Sequence, residues 1–200
     1  MIMSIIFDSG GVIINQDRLI NKFIRIFKPK NKEKFLVELN LRVIPLCKNK
    51  ISESKFWAQF AKAVGISPSR ISKDLWTKDF EKLTKINKGI IKIIKTLKQK
   101  YKVALISNSI KSHAKINRKR RIYDLFDVVI LSHEVGLTKD SKKIFLLATN
   151  KLEVSPKECI FIDDIKEFVD VAESAGMNGI VFKNEKQLKV NLKRIIKHEM

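Results

Sequence analysis

The first eleven residues limit the fold more than any other stretch. From Met1 to Phe7 the chain is apolar except for Ser4, and it then breaks at Asp8, Ser9, Gly10 and Gly11. A strand with one wet face alternates polar and apolar side chains. A nearly unbroken apolar run instead marks a central parallel strand covered on both faces. The paired glycines allow a tight turn, and a carboxylate at the carboxyl end of such a strand stands where open α/β sheets bind ligands. The competing reading is that Asp8 only caps the turn, as Asp does in many turns.

Residues 15–86 read as helix throughout, with no strand signal. Leu19, Ile20, Phe23, Ile24 and Phe27 recur at helical spacing until Lys28-Pro29. A second helix is predicted from about Lys32 to Leu46. A third starts at Ser52 and stops at Gly65, and a fourth opens at Ser67-Pro68 and carries Trp76, Phe80 and Leu83. Phe56, Trp57, Trp76 and Phe80 are expected to form the core of this bundle. From Asn87 the chain alternates helix and strand. Strands are expected at 102–106, 128–131, 159–162 and 179–182, separated by helices, and a terminal amphipathic helix carries Leu188, Leu192, Ile195 and Ile196. Such alternation implies a doubly wound parallel sheet, an α/β fold.

No apolar run approaches the ~18 residues of a membrane span, and no secretory leader pattern is present, so a cytoplasmic protein is expected. Cys47 and Cys159 lack CxxC spacing and are predicted to be buried thiols in a reducing compartment. The net charge of +20 would draw anionic partners, but 33 of the 41 basic residues are Lys and only eight are Arg. Most of that charge reads as solvated helix faces. The densest basic stretch is 111–121, with Lys111, Lys115, Arg118, Lys119, Arg120 and Arg121. It has no interleaved aromatic residues on which unpaired bases would stack, so nucleic acid is not the favoured partner. His113, His133 and His198 have no ligand spacing and are expected at the surface or at helix ends.

Four polar clusters directly follow strands or precede a helix: Asp8, Ser107-Asn108, Lys139 and Asp163-Asp164. Right-handed crossovers place the carboxyl ends of parallel strands on one rim, so the clusters converge. Three carboxylates around one lysine repel unless a cation joins them, and hard oxygen donors suit Mg²⁺.

In this order the clusters resemble those of the haloacid dehalogenase-like (HAD) hydrolase superfamily, and the resemblance spans the whole chain. It implies a Rossmann-like core at 1–14 and 87–200 with an inserted helical cap at 15–86. It further implies that Asp8 is the nucleophile, that Ser107 with Asn108 binds the phosphoryl group of a small phosphorylated metabolite, and that Lys139 neutralises charge. Asp8, the Gly10 carbonyl, Asp163 and Asp164 would hold Mg²⁺, with Asp164 the more direct ligand of the acidic pair. The product of the first step would be an aspartyl-phosphate.

Three positions depart from the family pattern. Gly10 stands where most of its phosphatases carry a second Asp, the general acid and base, which places the chain near the Asp-x-Gly-(Gly/Asn) subgroup similar to glucose-1-phosphatase-like enzymes. Slow turnover is expected. Asp140 replaces a frequent proline and would compete for Lys139. Phe168 replaces a frequent Asp or Asn. Two rival functions are a weak or inactive relative that binds polyanions through its basic surface, and a 2-haloacid dehalogenase. The acidic pair argues against the second, which needs no metal.

Overall fold

The computed structural model describes residues 1–65 and 76–197. Its strands are β1 (Ser4–Phe7), β2 (Ile14–Asn15), β3 (Lys85–Ile86), β4 (Lys102–Ser107), β5 (Val128–Leu131), β6 (Cys159–Asp163) and β7 (Asn178–Val181). Five of them form one sheet in the order β5-β4-β1-β6-β7, with every neighbouring pair parallel. The first strand is central, as its apolar run requires, and the chain order reverses across it. That reversal opens a crevice at the carboxyl rim.

The two faces of the sheet are separated by the period of two. Ile5 and Phe7 point to one core, with Ile90, Ile94, Leu188 and Leu192, and Ile6 points to the other, with Ile144, Phe145 and Ala172. All four residues of β1 are buried. Each buried Ile or Phe contributes about 1.5–3 kcal/mol of transfer free energy. The helices on the first face are α5 (Lys88–Leu97), α6 (Lys111–Lys119) and α10 (Glu185–Lys197), and α8 (Lys142–Leu152) and α9 (Lys166–Ser174) cover the second. Side-chain caps fix several starts. Asn87 accepts from the Gly89 and Ile90 amides, and Ser141 accepts from the Lys143 amide.

Helices α1 (Asp17–Phe27), α2 (Lys32–Cys47), α3 (Glu53–Ala63) and α4 (Lys78–Leu83) lie between β2 and β3. Their common core is aromatic. Phe56 stacks on Trp76 at 4.6 Å between centroids, and Trp57 meets Phe23 edge-on at 6.0 Å. The start of the fourth expected helix, at Ser67-Pro68, lies outside the described residues, as does His198.

The structure corrects the reading of this region in one respect. Ile14–Asn15 and Lys85–Ile86 pair as a two-stranded antiparallel ribbon at the two ends of the helical segment. Two residues are too few to show alternation, so the ribbon left no trace in the periodicity. A one-turn helix, α7 (Ser132–Val135), follows β5 and ends at Gly136, whose φ is +70°. No helix among the described residues is long and apolar enough to cross a membrane.

Candidate active site

The register of the sheet brings the polar clusters together. Phe7 pairs with Leu105 on one side and Ile162 on the other. Asp8 therefore lies level with Asp163 and one step short of Ser107. The Asp8 amide continues the ladder by donating to the Ile162 carbonyl at 2.9 Å. Lys139 enters from the loop between α7 and α8. Its Nζ donates to Asp8 Oδ1 and to Asp163 Oδ2, each at 2.5 Å, and all three side chains are buried.

Neighbouring groups aim that lysine. Its backbone amide donates to Asn108 Oδ1 at 3.0 Å, and its ammonium lies 4.7 Å from the centroid of the Phe168 ring. Asn108 thus spends its side-chain oxygen on the lysine's loop. Phe168, where a polar residue was anticipated, supports the ammonium through its π face. Asp140 does not draw Lys139 away, because it is held by Thr138 and by Lys48, the residue after α2, at 3.3 Å. The Ser107 side chain is buried at the end of β4, and its hydroxyl makes no hydrogen bond to the described residues.

Asp163 is fixed on its second oxygen by the Ile165 amide at 2.9 Å. Asp164 is more exposed, and its carboxylate packs against Gly11, whose φ of +82° and missing side chain allow the close approach. One oxygen from each of Asp8, Asp163 and Asp164 lies within 4.8 Å of the others.

Three carboxylates and one ammonium leave an excess of negative charge in a buried space. Burial would lower the Lys139 pKa, but Asp8 and Asp163 outweigh it and hold the lysine protonated. Burial pushes the Asp8 carboxyl up to about 8 against the pull of Lys139, with Asp163 adding to the rise. Burial and Asp163 push Asp164 up to about 6. A hard divalent cation would relieve this strain, and the donor set, all oxygen, fits one. The Gly10 carbonyl, also assigned to the metal, accepts no hydrogen bond from the described residues.

Two residues of the site had no sequence signal. Cys47, the last residue of α2, is a neutral thiol whose pKa burial raises to about 12, although Lys139 and the Ser132 hydroxyl pull the other way. Gln16 lines an open cleft of about 630 Å³ with Gly11, Asp164, Asn87, Lys183 and Lys186.

His113 and His133 lie in terminal turns of helices, as expected, but neither imidazole is free at the surface. His133 is buried, with Nδ1 2.9 Å from Ser109 Oγ. The ring of His113 stacks on Phe80 at 3.7 Å, and its Nε2 is sealed from solvent without a partner among the described residues. In the basic stretch the arginines have internal partners. Arg118 pairs with Glu134, Arg121 with Asp124, and Arg120 donates to Thr84 Oγ1 and to the Glu81 carbonyl.

The family model for haloacid dehalogenase-like hydrolase matches residues 2–176. The chain belongs to that family. A phosphorylated carbohydrates phosphatase of Thermotoga maritima is 24% identical to this HAD-like hydrolase over 188 residues, covering 88% of the chain and 83% of the relative. The magnesium complex of the HAD family enzyme bt-2542 of Bacteroides thetaiotaomicron superposes with a TM-score of 0.68 at 27% identity, covering 91% of this chain and 93% of that one. A HAD-like family hydrolase of Porphyromonas gingivalis shares the fold over 98% of both chains, with a TM-score of 0.76 and 23% identity.

Proposed function

We propose that this HAD-like hydrolase is a Mg²⁺-dependent phosphatase of small phosphorylated metabolites, and that Asp8 is its nucleophile. The observation that carries the reading is the buried Lys139 bridge between Asp8 and Asp163, with Asp164 adding uncompensated charge beside it. Asp8, Asp163, Asp164 and the Gly10 carbonyl would hold the ion, which supplies positive charge to offset the repulsion between a carboxylate and a phosphate.

The chain's own residues account for the rest. Lys139 holds Asp8 Oδ1, leaving Oδ2 free of hydrogen bonds from the described residues to attack phosphorus. Lys139 and the Ser107 hydroxyl would bind the non-bridging oxygens as charge shifts onto them. The bond from phosphorus to the leaving oxygen breaks and an aspartyl-phosphate forms at Asp8. Water then cleaves it and restores the carboxylate. Asn108 steadies the Lys139 loop through its Oδ1, and its Nδ2, which no described residue engages, would donate to a phosphoryl oxygen. Residues 15–86 serve as a cap over the rim, with Lys48 bonded to Asp140 of the Lys139 loop. The Thermotoga relative supports a sugar phosphate as the substrate class.

Gly10 offers no acid or base, so turnover is slow and favours leaving groups that depart without a proton, such as aryl and acyl phosphates. Positioned proton transfer typically contributes about 10² to 10⁴ in rate. The polyanion-binding reading is weaker because Arg118, Arg120 and Arg121 have internal partners. A dehalogenase has no use for the acidic pair. The test is phosphate release from a panel of phosphorylated metabolites with and without Mg²⁺. Release should require the metal and vanish in Asp8→Asn. Salt-sensitive RNA or duplex binding without phosphate release would overturn the reading.

A further inference from the structure

The absence of a side chain at residue 10 leaves no hole. A Cβ built on Gly10 would stand 2.6 Å from Gln16 Nε2 and 3.5 Å from its Cδ. The carboxamide of Gln16 therefore fills the space that a carboxylate at residue 10 would enter. Gln16 directly precedes α1, yet its side chain does not cap that helix. Its amide nitrogen and oxygen have no hydrogen-bond partner among the described residues, and the side chain faces the 630 Å³ cleft beside Asp164. A polar group with a donor and an acceptor, both unspent, lies over the turn that carries the nucleophile.

We propose that Gln16 holds the leaving oxygen of the substrate, and afterwards the attacking water, on the side of phosphorus opposite Asp8. This deepens the phosphatase reading and rests on it. In-line displacement puts the departing oxygen and the incoming water in the same place at successive moments. A carboxamide suits both, because Nε2 donates to an oxygen gaining charge and Oε1 accepts from a water. It orients them and transfers no proton.

The chemistry balances without a base. In the first step Asp8 bonds to phosphorus, and the leaving oxygen departs with the electron pair and takes a proton from solvent. In the second, water bonds to phosphorus, the pair of the breaking bond returns to Asp8, and both hydrogens leave on dihydrogen phosphate. A strongly basic alkoxide depends most on the Nε2 donor. Gln16 is thus a determinant of leaving-group specificity as well as rate.

The test uses the Mg²⁺-loaded full chain, wild type and Gln16→Ala, with glycerol phosphate and p-nitrophenyl phosphate. Removing one hydrogen bond to a developing charge should lower kcat on the alkyl ester by about tenfold. KM should stay within about twofold, and the aryl ester should lose less. A second readout needs no turnover. By fluorine NMR, Gln16→Ala should bind aluminium fluoride about tenfold more weakly, because that complex includes the opposite oxygen, and should keep its affinity for beryllium fluoride. Equal kcat and equal fluoride affinities in the two proteins would overturn the role of Gln16 alone. A wild type that binds neither fluoride and cleaves no ester would overturn the phosphatase reading, and the proposal with it.

Discussion

At the scale of single residues, the site depends on what two glycines leave out. Gly11 has a φ of +82°, and any Cβ there would meet the Asp164 carboxylate. Gly11→Ala therefore combines a left-handed backbone cost of about 1–2 kcal/mol with a displaced acid. Apparent Mg²⁺ affinity should fall by about tenfold or more, as it does when a group that orients a ligand is disturbed. A Mg²⁺ titration followed by thermal denaturation measures both effects, and an unchanged midpoint with unchanged affinity would refute the account. The sequence showed that Gly10-Gly11 makes a turn. It could not show that one glycine makes room for an acid about 150 positions away and the other for Gln16, because space is not encoded in local pattern.

At the scale of elements, the helices between β2 and β3 have to be joined to the sheet domain. Arg120, next after α6, makes one of these joints. It donates to Thr84 Oγ1 at 2.8 Å and to the Glu81 carbonyl at 2.6 Å at the end of α4, and its guanidinium lies 5.6 Å from the Phe80 centroid. Cations at a helix carboxyl end are favoured, and hydrogen bonds from a charged donor contribute about 1.5–3 kcal/mol. Arg120→Ala should cost about 2 kcal/mol, or roughly 4–8 °C in Tm for a chain of this size. Arg120→Lys should recover little, since one ammonium does not reproduce the planar fork. A full recovery by lysine would mean that charge alone makes the joint. Helix starts were readable here because caps are local. Ser52 accepts from the Lys55 amide, and Asn87 from two amides. The ribbon of Ile14–Asn15 with Lys85–Ile86 was not readable, because its partners are about 70 residues apart and each strand has only two residues.

At the scale of the whole molecule, stability should depend on pH through His113, a half-buried histidine in the first turn of α6 whose Nε2 is sealed from solvent. Burial lowers the His113 pKa to about 3, with Arg120 adding to the fall and the Trp76 backbone opposing it, whereas the unfolded chain titrates near 6.5. The unfolded state binds more protons between those values, so this stability is complete above pH 6.5 and is lost on acidification. The slope is about 1.4 kcal/mol per pH unit. Asp8 and Asp164, raised to about 8 and about 6, run the other way, and their contribution is lost as pH rises. The histidine is therefore isolated by comparing wild type with His113→Leu at saturating Mg²⁺. The gap between them should shift against wild type by about 2 kcal/mol from pH 6.5 to pH 5. A constant gap would mean that His113 takes up its proton in the fold at the same pH as in the unfolded chain.

The sequence by itself determined the class of fold, the central place of the first strand, the aromatic core of the helical segment and the set of polar groups at the strand ends. Burial on both faces, turns and caps act over a few residues and leave their mark there. Only the tertiary structure decided who touches whom. Lys139 meets Asp8 across 131 positions, Phe168 lies under its ammonium, Arg120 leaves the basic surface to hold α4, and Gln16 takes the place of a missing side chain. Those contacts follow from sheet register and packing, which are settled by the whole chain at once.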